Sequence, residues 1–308
     1  MFCPRANGKR HEPDAIVRSK KNREAGLTPG EFHLSRGDFR QIAAMLHDDA
    51  GIYLSESRAA LVYSRLAKRL RVLGLSSFRD YCALIAGSEG IDERQKMVAA
   101  LTTNVTRFFR EPHHFQHLET AVLPPLLEAA RGGGRARLWS AACSNGQEPY
   151  SIALTILSSM PDAARFDVKV LASDIDPNML AEGREGIYAE DLLEPVPAKL
   201  RTRWFVPVGD GSRRFSVAAE LRELVVFREL NLFGAWPMKG AFQAIFCRNV
   251  AIYFEEEMQM KLWSRFAPML SPGGRLYIGH SERLVGTAAT AFECEGVTAY
   301  RLRKGPRA

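Results

Sequence analysis

The stretch RLWSAACSNGQEPYSIALTIL, residues 137–157, constrains the fold more than any other part of the chain. It opens as a short apolar strand over 138–142 and crosses a run of small and polar residues that includes Ser144, Asn145 and Gly146. It then resumes as a helix with Ile152, Ile156 and Leu157 on one stripe. A strand, a tight small-residue turn and a helix are how a doubly wound parallel sheet builds a nucleotide pocket at the carboxyl end of a strand. Small residues let the backbone approach a ligand closely. Only Gly146 stands where a dinucleotide fingerprint would supply three glycines, and no Walker lysine follows, so phosphate cradling is not indicated. Glu148 at the start of the helix instead suits a cationic or hydroxylated ligand. Taken alone, the segment reads rather as a plain strand-to-helix turn.

The 308 residues are enough for a substantial core and two domains, and 46% hydrophobic with 25% charged residues is a globular composition. No apolar run approaches the roughly 18 residues of a membrane span, and the first residues lack the apolar core of a signal peptide. Cys3, Cys82, Cys143, Cys247 and Cys294 are odd in number and lack metal-ligand spacing, as expected of free thiols in a reducing cytoplasm. The net charge of +7 admits an acidic protein, a nucleic acid or a membrane face as partner. Its placement is more informative than its size.

Residues 1–30 are basic and have almost no apolar periodicity, so they read as a disordered tail. Residues 31–103 read as a helical domain, with helices stopping at Gly51, Gly74, near Gly87 and at Leu101, and with Ser55 or Ser57, then Ser76 or Ser77, at helix starts. In the second helix, Val62, Tyr63, Leu66, Leu70 and Leu73 form one face, while Arg58, Arg65, Lys68, Arg69 and Arg71 cover the other with no acid between Ser57 and Leu73. Such a face is either simply solvated or aimed at an anionic partner, because like charges at i,i+4 repel.

Residues 104–308 carry the strand-to-helix unit. A helix to about Arg131 is expected to bend at Pro124-Pro125. The next strand, 168–172, ends in Ser173-Asp174-Ile175-Asp176. An acid at this strand tip can accept both hydroxyls of a ribose, although Asp174 could also cap a helix. Between about 195 and 230 short strands around VGDGSRR predict a small antiparallel insert that includes ELVVFREL. FQAIFCRNVAIYF then gives a buried strand running into Arg248-Asn249 and Tyr253, PGGRLYIGHSE another strand, and TAYRLRK a final edge strand.

Six segments in order, LTTNVTRFFRE, RLWSAACSNGQEPYS, LASDID, Asn231-Leu232, IFCRNVAIYF and GGRLYIGHSE, resemble the CheR-type chemotaxis receptor methyltransferases. The resemblance implies an all-helical N-terminal domain and an α/β, Rossmann-like class I methyltransferase domain carrying a small antiparallel β subdomain. It also implies S-adenosylmethionine as methyl donor and, as acceptor, glutamate side chains on the cytoplasmic helices of methyl-accepting receptors. By position, Asn104, Thr106, Arg110, Glu148, Asp174, Asn231, Leu232, Arg248 and Asn249 resemble the family's cofactor contacts. Arg110 and Tyr253 resemble residues beside the transferred methyl group. Family members that tether to a receptor's C-terminal pentapeptide have a longer turn in the β subdomain; the short VGDGSRR turn points away from a tether.

Elementary chemistry agrees with these roles. A glutamate carboxyl, with a reference pKa near 4.3, is ionised at neutral pH and needs no general base, and the motifs contain none. Arg110 can hold a carboxylate through its forked donors, and the Tyr253 hydroxyl can orient an acceptor oxygen. Arg65, Lys68, Arg69 and Arg71 would steer the acidic receptor helices. His113, His114 and His117 lack a further ligand nearby, so no metal is expected; Cys143 and Cys247 read as core fillers and His280 as structural. Two rivals are a methyltransferase acting on RNA, which lacks support because NVAIY replaces an N-P-P-Y-like motif, and a cofactor-binding regulatory module without transfer activity.

Overall fold

The computed structural model describes residues 27–303, so nearly all of the expected basic tail lies outside the described residues. Four helices come first: α1 (Arg36–Ala50), α2 (Ala59–Leu73), α3 (Phe78–Ala86) and α4 (Ile91–Leu101). Their ends follow capping chemistry. Ser35 and Asp38 form a reciprocal capping box on α1, and Ser77 accepts from the Asp80 amide at the start of α3. α1 and α2 each stop at a left-handed glycine, Gly51 (φ 68°) and Gly74 (φ 66°). Phe39, Ile42 and Leu46 of α1 close with Val62, Leu66 and Leu70 of α2 and with Phe78, Tyr81 and Ile85 of α3 into a separate core.

The chain then crosses residues 102–111 and enters α5 (Pro112–His117), a π-turn over Leu118–Val122, and α6 (Leu123–Arg131). The sequence places an irregularity at Pro124-Pro125; the irregular turn is this π-turn, just before them. The prolines themselves sit in the first turn of α6, where a missing N–H is least costly.

Next come β1 (Ala136–Ala141), α7 (Gln147–Ser159), β2 (Val168–Asp174), α8 (Pro177–Glu185), β3 (Ile187–Ala189), α9 (Ala198–Trp204), β4 (Phe205–Pro207) and β5 (Arg214–Val217). They are followed by α10 (Ala219–Glu223), β6 (Val225–Glu229), β7 (Phe242–Cys247), α11 (Glu256–Phe266), β8 (Leu270–Ile278), β9 (Phe292–Gly296) and β10 (Ala299–Leu302). Seven strands form one sheet in the order β6-β2-β1-β7-β8-β10-β9. Strands β6, β2, β1, β7 and β8 are parallel, while β10 and β9 add an antiparallel hairpin. The chain runs outward from β1 through β2 to β6 and returns to β7 on the other side of β1. That reversal opens a crevice at the carboxyl ends of β1 and β7.

Two strand assignments change. Val225–Glu229 does not belong to the antiparallel insert; it pairs in parallel with β2 and forms the edge of the large sheet. The insert is the three-stranded sheet β3-β5-β4, which begins at Ile187. Ala299–Leu302 is internal rather than the edge, because β9 folds back outside it. The apolar faces of the large sheet pack into two cores. One runs through Leu138, Ile152, Ile156 and Phe246, the other through Trp139, Ile245, Trp263 and Phe266.

Candidate active site

A cleft of about 290 Å³ lies over the carboxyl ends of β1, β2 and β7, roofed by the linker after α4 and by the loop after α1. All ten residues expected to hold donor or acceptor line it: Asn104, Thr106, Arg110, Glu148, Asp174, Asn231, Leu232, Arg248, Asn249 and Tyr253. Sequence separations of more than 140 residues are thus brought to one opening by the sheet topology.

Asp174, 6% exposed at the tip of β2, is not the helix cap. Asp176 caps α8, accepting from the Asn178 amide at 2.9 Å. Asp174 accepts from the Ser144 amide at 2.7 Å and the Asp176 amide at 3.0 Å, which fixes its carboxylate at the cleft wall. Burial raises its pKa and these amide bonds oppose the rise. The linker is stitched down beside it. Asn104 donates to Asp176 at 2.9 Å and accepts at its carbonyl from the Ser144 hydroxyl at 2.8 Å. The Phe108 and Phe109 amides donate to Gln147 and Ser151 of α7, which brings Arg110 to the opening.

Arg248 is the buried cation of the site, its side chain 1% exposed. It pairs with Glu148 at 3.1 Å and Glu111 at 3.3 Å, donates to the Arg110 carbonyl, and lies 5.7 Å from the Phe115 ring centre. Its visible role is to orient two acids and the Arg110 backbone, not to present a free guanidinium. Glu148 also accepts from Ser140 at 2.7 Å; burial raises its pKa against the pull of Arg248. Asn231 is committed as well: its amide group donates to the Asp49 carbonyl and its oxygen accepts from the Phe233 amide at 2.9 Å. This ties the loop after β6 to the end of α1 and leaves Asn231 its backbone for a ligand.

The two domains meet across the cleft. Ile52 forms an antiparallel bridge with Phe254, and the Tyr53 amide donates to the Tyr253 carbonyl at 2.9 Å. Several cleft loops hold non-glycine residues at positive φ: Glu111 (59°), Ala142 (60°), Ser144 (52°) and Asn249 (59°). Such conformations persist where the surroundings over-determine them, and they gather at functional sites.

Sequence reasoning missed two acids, although both lie in quoted motifs. Glu111 of TRFFRE accepts from His280 Nδ1 at 3.0 Å and faces Arg248; burial pushes its pKa up, but Arg248 and the hydrogen bonds from His280 and Asn249 outweigh that and hold it at about 2. Glu282 of GHSE is 4% exposed and accepts from four backbone amides around the loop after β7. Neither motif announces these bonds, which depend on tertiary placement.

The histidine run separates. His117 bonds the Tyr277 hydroxyl at 2.9 Å, while Glu111, His113 and His114 bring ligand atoms within 4.8 Å of one another. Glu111 already faces the Arg248 guanidinium there, and a dication beside a buried guanidinium would be repelled.

The basic face of α2 lies apart from the cleft except at Arg58, and it is not uncompensated as expected. Arg69 bonds buried Glu93 at 2.8 Å, Arg65 donates to the Ala100 and Thr102 carbonyls at the end of α4, and Arg71 pairs with Glu31 at 2.9 Å. Arg58 and Lys68 are exposed and have no partner among the described residues.

The cleft fits a cationic, hydroxylated donor: two carboxyls, buried Asp174 and the partly buried Glu148, face it beside Leu230, Leu232 and Ile175, with no glycine-rich phosphate cradle. Together with the parallel sheet and its antiparallel hairpin, this defines a Rossmann-like, S-adenosylmethionine-dependent methyltransferase of class I. Residues 104–301 match the family model "CheR methyltransferase, SAM binding domain", and residues 37–102 match "CheR methyltransferase, all-alpha domain". The chain belongs to the CheR methyltransferase family. It is 56% identical to a probable chemotaxis protein methyltransferase of Rhizobium etli, over 83% of this chain and 96% of that protein. It is 45% identical to chemotaxis protein methyltransferase 2 of Pseudomonas aeruginosa (83% and 89%) and 41% identical to the chemotaxis protein methyltransferase of Escherichia coli (88% and 92%).

Proposed function

We propose that this enzyme methylates glutamate side chains on the cytoplasmic helices of methyl-accepting chemotaxis receptors, and that it works in the cytoplasm. Among the described residues no helix is long and apolar enough to cross a membrane. The observation that carries the reading is the convergence of Asp174, Glu148, Arg110 and Tyr253 on one cleft in a chain of this family.

S-adenosylmethionine, when bound, supplies an electrophilic methyl group on a sulfonium. Asp174 would accept the ribose hydroxyls, and Glu148, oriented by Ser140 and Arg248, would face the donor's positive end. Asn104 and Thr106 close the cleft from the linker side, Leu232 offers an apolar wall and Asn249 the strand tip. Arg110 and Tyr253 stand on the acceptor side: the guanidinium holds the incoming carboxylate and the phenol orients its oxygen. Because the acceptor is already ionised, the chain's contribution is alignment and exclusion of water, for which orientation alone can supply roughly 7–11 kcal/mol.

The rim supports a protein acceptor. Tyr53, Val105 and Ile252, from three distant segments, line the opening at 56%, 80% and 48% exposure. An apolar rim of this kind suits the face of a helix, and Arg58 beside it suits an acidic one. Of the cations expected to guide the receptor, Lys68 is free to do so, whereas Arg65, Arg69 and Arg71 already serve within the chain. The short turn between β4 and β5 favours engagement without a pentapeptide tether.

The test is transfer of label from methyl-labelled S-adenosylmethionine to receptor cytoplasmic fragments. Base-labile label on glutamate supports the reading; label on RNA, or binding without transfer, refutes it.

A further inference from the structure

Four backbone amides converge on the Glu282 carboxylate. The Asn249 amide reaches Oε2 at 2.9 Å and the Gly279 amide donates to the same oxygen; the Val250 and Ala251 amides reach Oε1 at 2.9 Å and 2.7 Å. Three of these donors are consecutive residues of the loop after β7, and the fourth, Gly279, directly follows β8. The side chain is 4% exposed and joins two loops that are otherwise 30 residues apart in sequence.

The packing leaves no room for an alternative. A Cβ on Gly279 would stand 2.4 Å from Asn249 Nδ2 and 2.8 Å from Glu282 Oε2, so β8 can approach this loop only through glycine. Asn249 is held at φ 59°, a left-handed conformation in which its amide points at the carboxylate and its side chain donates to Glu111 at 3.3 Å. From Ala251 the chain makes a short 3₁₀ turn, closed by the Tyr253 amide on the Val250 carbonyl and the Phe254 amide on the Ala251 carbonyl. The same turn then bridges to Ile52 and Tyr53 of the helical domain. The direction in which the Tyr253 ring leaves the backbone is therefore set by a turn whose first residues hang on one carboxylate.

We infer that Glu282 is a positioning residue for methyl transfer: its carboxylate fixes the 249–254 turn and thereby places Tyr253 against the acceptor. The inference rests on the reading that Tyr253 stands on the acceptor side. Its chemistry needs two acceptor oxygens. In Glu282→Gln one oxygen becomes an NH2 group, which would face two backbone N–H donors, so two of the four bonds are lost while size and shape are kept.

Four proteins are compared: wild type, Glu282→Gln, Tyr253→Phe and the double variant. The readouts are kcat on receptor fragments, S-adenosylhomocysteine binding, thermal midpoint and amide hydrogen exchange. Glu282→Gln is expected to lower kcat at least tenfold, to weaken inhibitor binding, through Asn249, by a smaller factor than it lowers kcat, and to speed exchange at 249–254 far more than in the rest of the chain. In the Tyr253→Phe background it should lower kcat less than twofold further, because the group it positions is gone. An unchanged kcat in Glu282→Gln overturns the inference, as does an equal fall in both backgrounds, which would mark a merely structural role. Tyr253→Phe alone tests the reading of the site, so the two failures are distinguishable.

Discussion

Replacing Glu111 with glutamine should cost stability in a way that depends on pH. The Glu111 side chain is 10% exposed and lies 3.3 Å from Arg248, itself 1% exposed. Burial favours the neutral acid, yet Arg248 and the bonds from His280 and Asn249 prevail and lower the pKa from 4.5 to about 2. A carboxyl whose pKa is depressed on folding stabilises fully above its unfolded pKa and loses that contribution as pH falls through the folded one. At about 1.4 kcal/mol per pH unit, the interval amounts to about 3 kcal/mol at pH 7 and to less than half of that at pH 3. Glu111→Gln keeps the size and an acceptor oxygen, and Arg248 keeps Glu148 as partner. Urea unfolding of both proteins from pH 7 to pH 3 reads the difference. With a slope of about 3 kcal/mol/M the midpoint at pH 7 should fall by about 1 M. A stability loss of the same size at both ends of that range would refute the electrostatic account and point to packing instead.

Asp174→Asn should weaken S-adenosylhomocysteine binding at least tenfold by calorimetry, because an amide substitutes a donor for one of the acceptors a ribose diol requires; unchanged binding would remove Asp174 from the donor site. Val105→Asp, on a residue 80% exposed at the cleft mouth, should raise KM for receptor fragments several-fold with donor affinity unchanged. Reversing charge at Arg58 and Lys68 together should slow receptor methylation and flatten its salt dependence, since both are exposed and free of internal partners among the described residues. Reversal at Arg69 should instead destabilise the helical domain, because it would oppose buried Glu93, which also accepts from Tyr81 at 3.0 Å.

How much was legible in the sequence follows the range of the interactions. Helix ends were legible because Ser77, Gly51 and Gly74 act on their own neighbours. The strand-turn-helix at 137–157 was legible for the same reason, and the ten residues picked out by the resemblance all line the cleft, while Glu111 and Glu282, which hold its loops from behind, were missed. What failed was long-range. The apolar run in Val225–Glu229 alternates like its neighbours in the insert, and periodicity does not say which sheet a strand joins. The basic face of α2 looked unpaired because its acids, Glu93 and Glu31, stand 24 and 40 residues away, beyond any helical spacing rule. Glu282 was invisible because its partners are backbone amides, which have no sequence signature.

The claim on which the rest stands is that a sulfonium donor lies across the tips of β1, β2 and β7 with its reactive end towards Arg110 and Tyr253. A crystal structure with S-adenosylhomocysteine tests it directly. The account predicts the ribose hydroxyls on Asp174, the amino acid end near Glu148 and the sulfur facing the opening between Arg110 and Tyr253. A ligand bound elsewhere, or one in this cleft with its sulfur turned away from both residues, would contradict it.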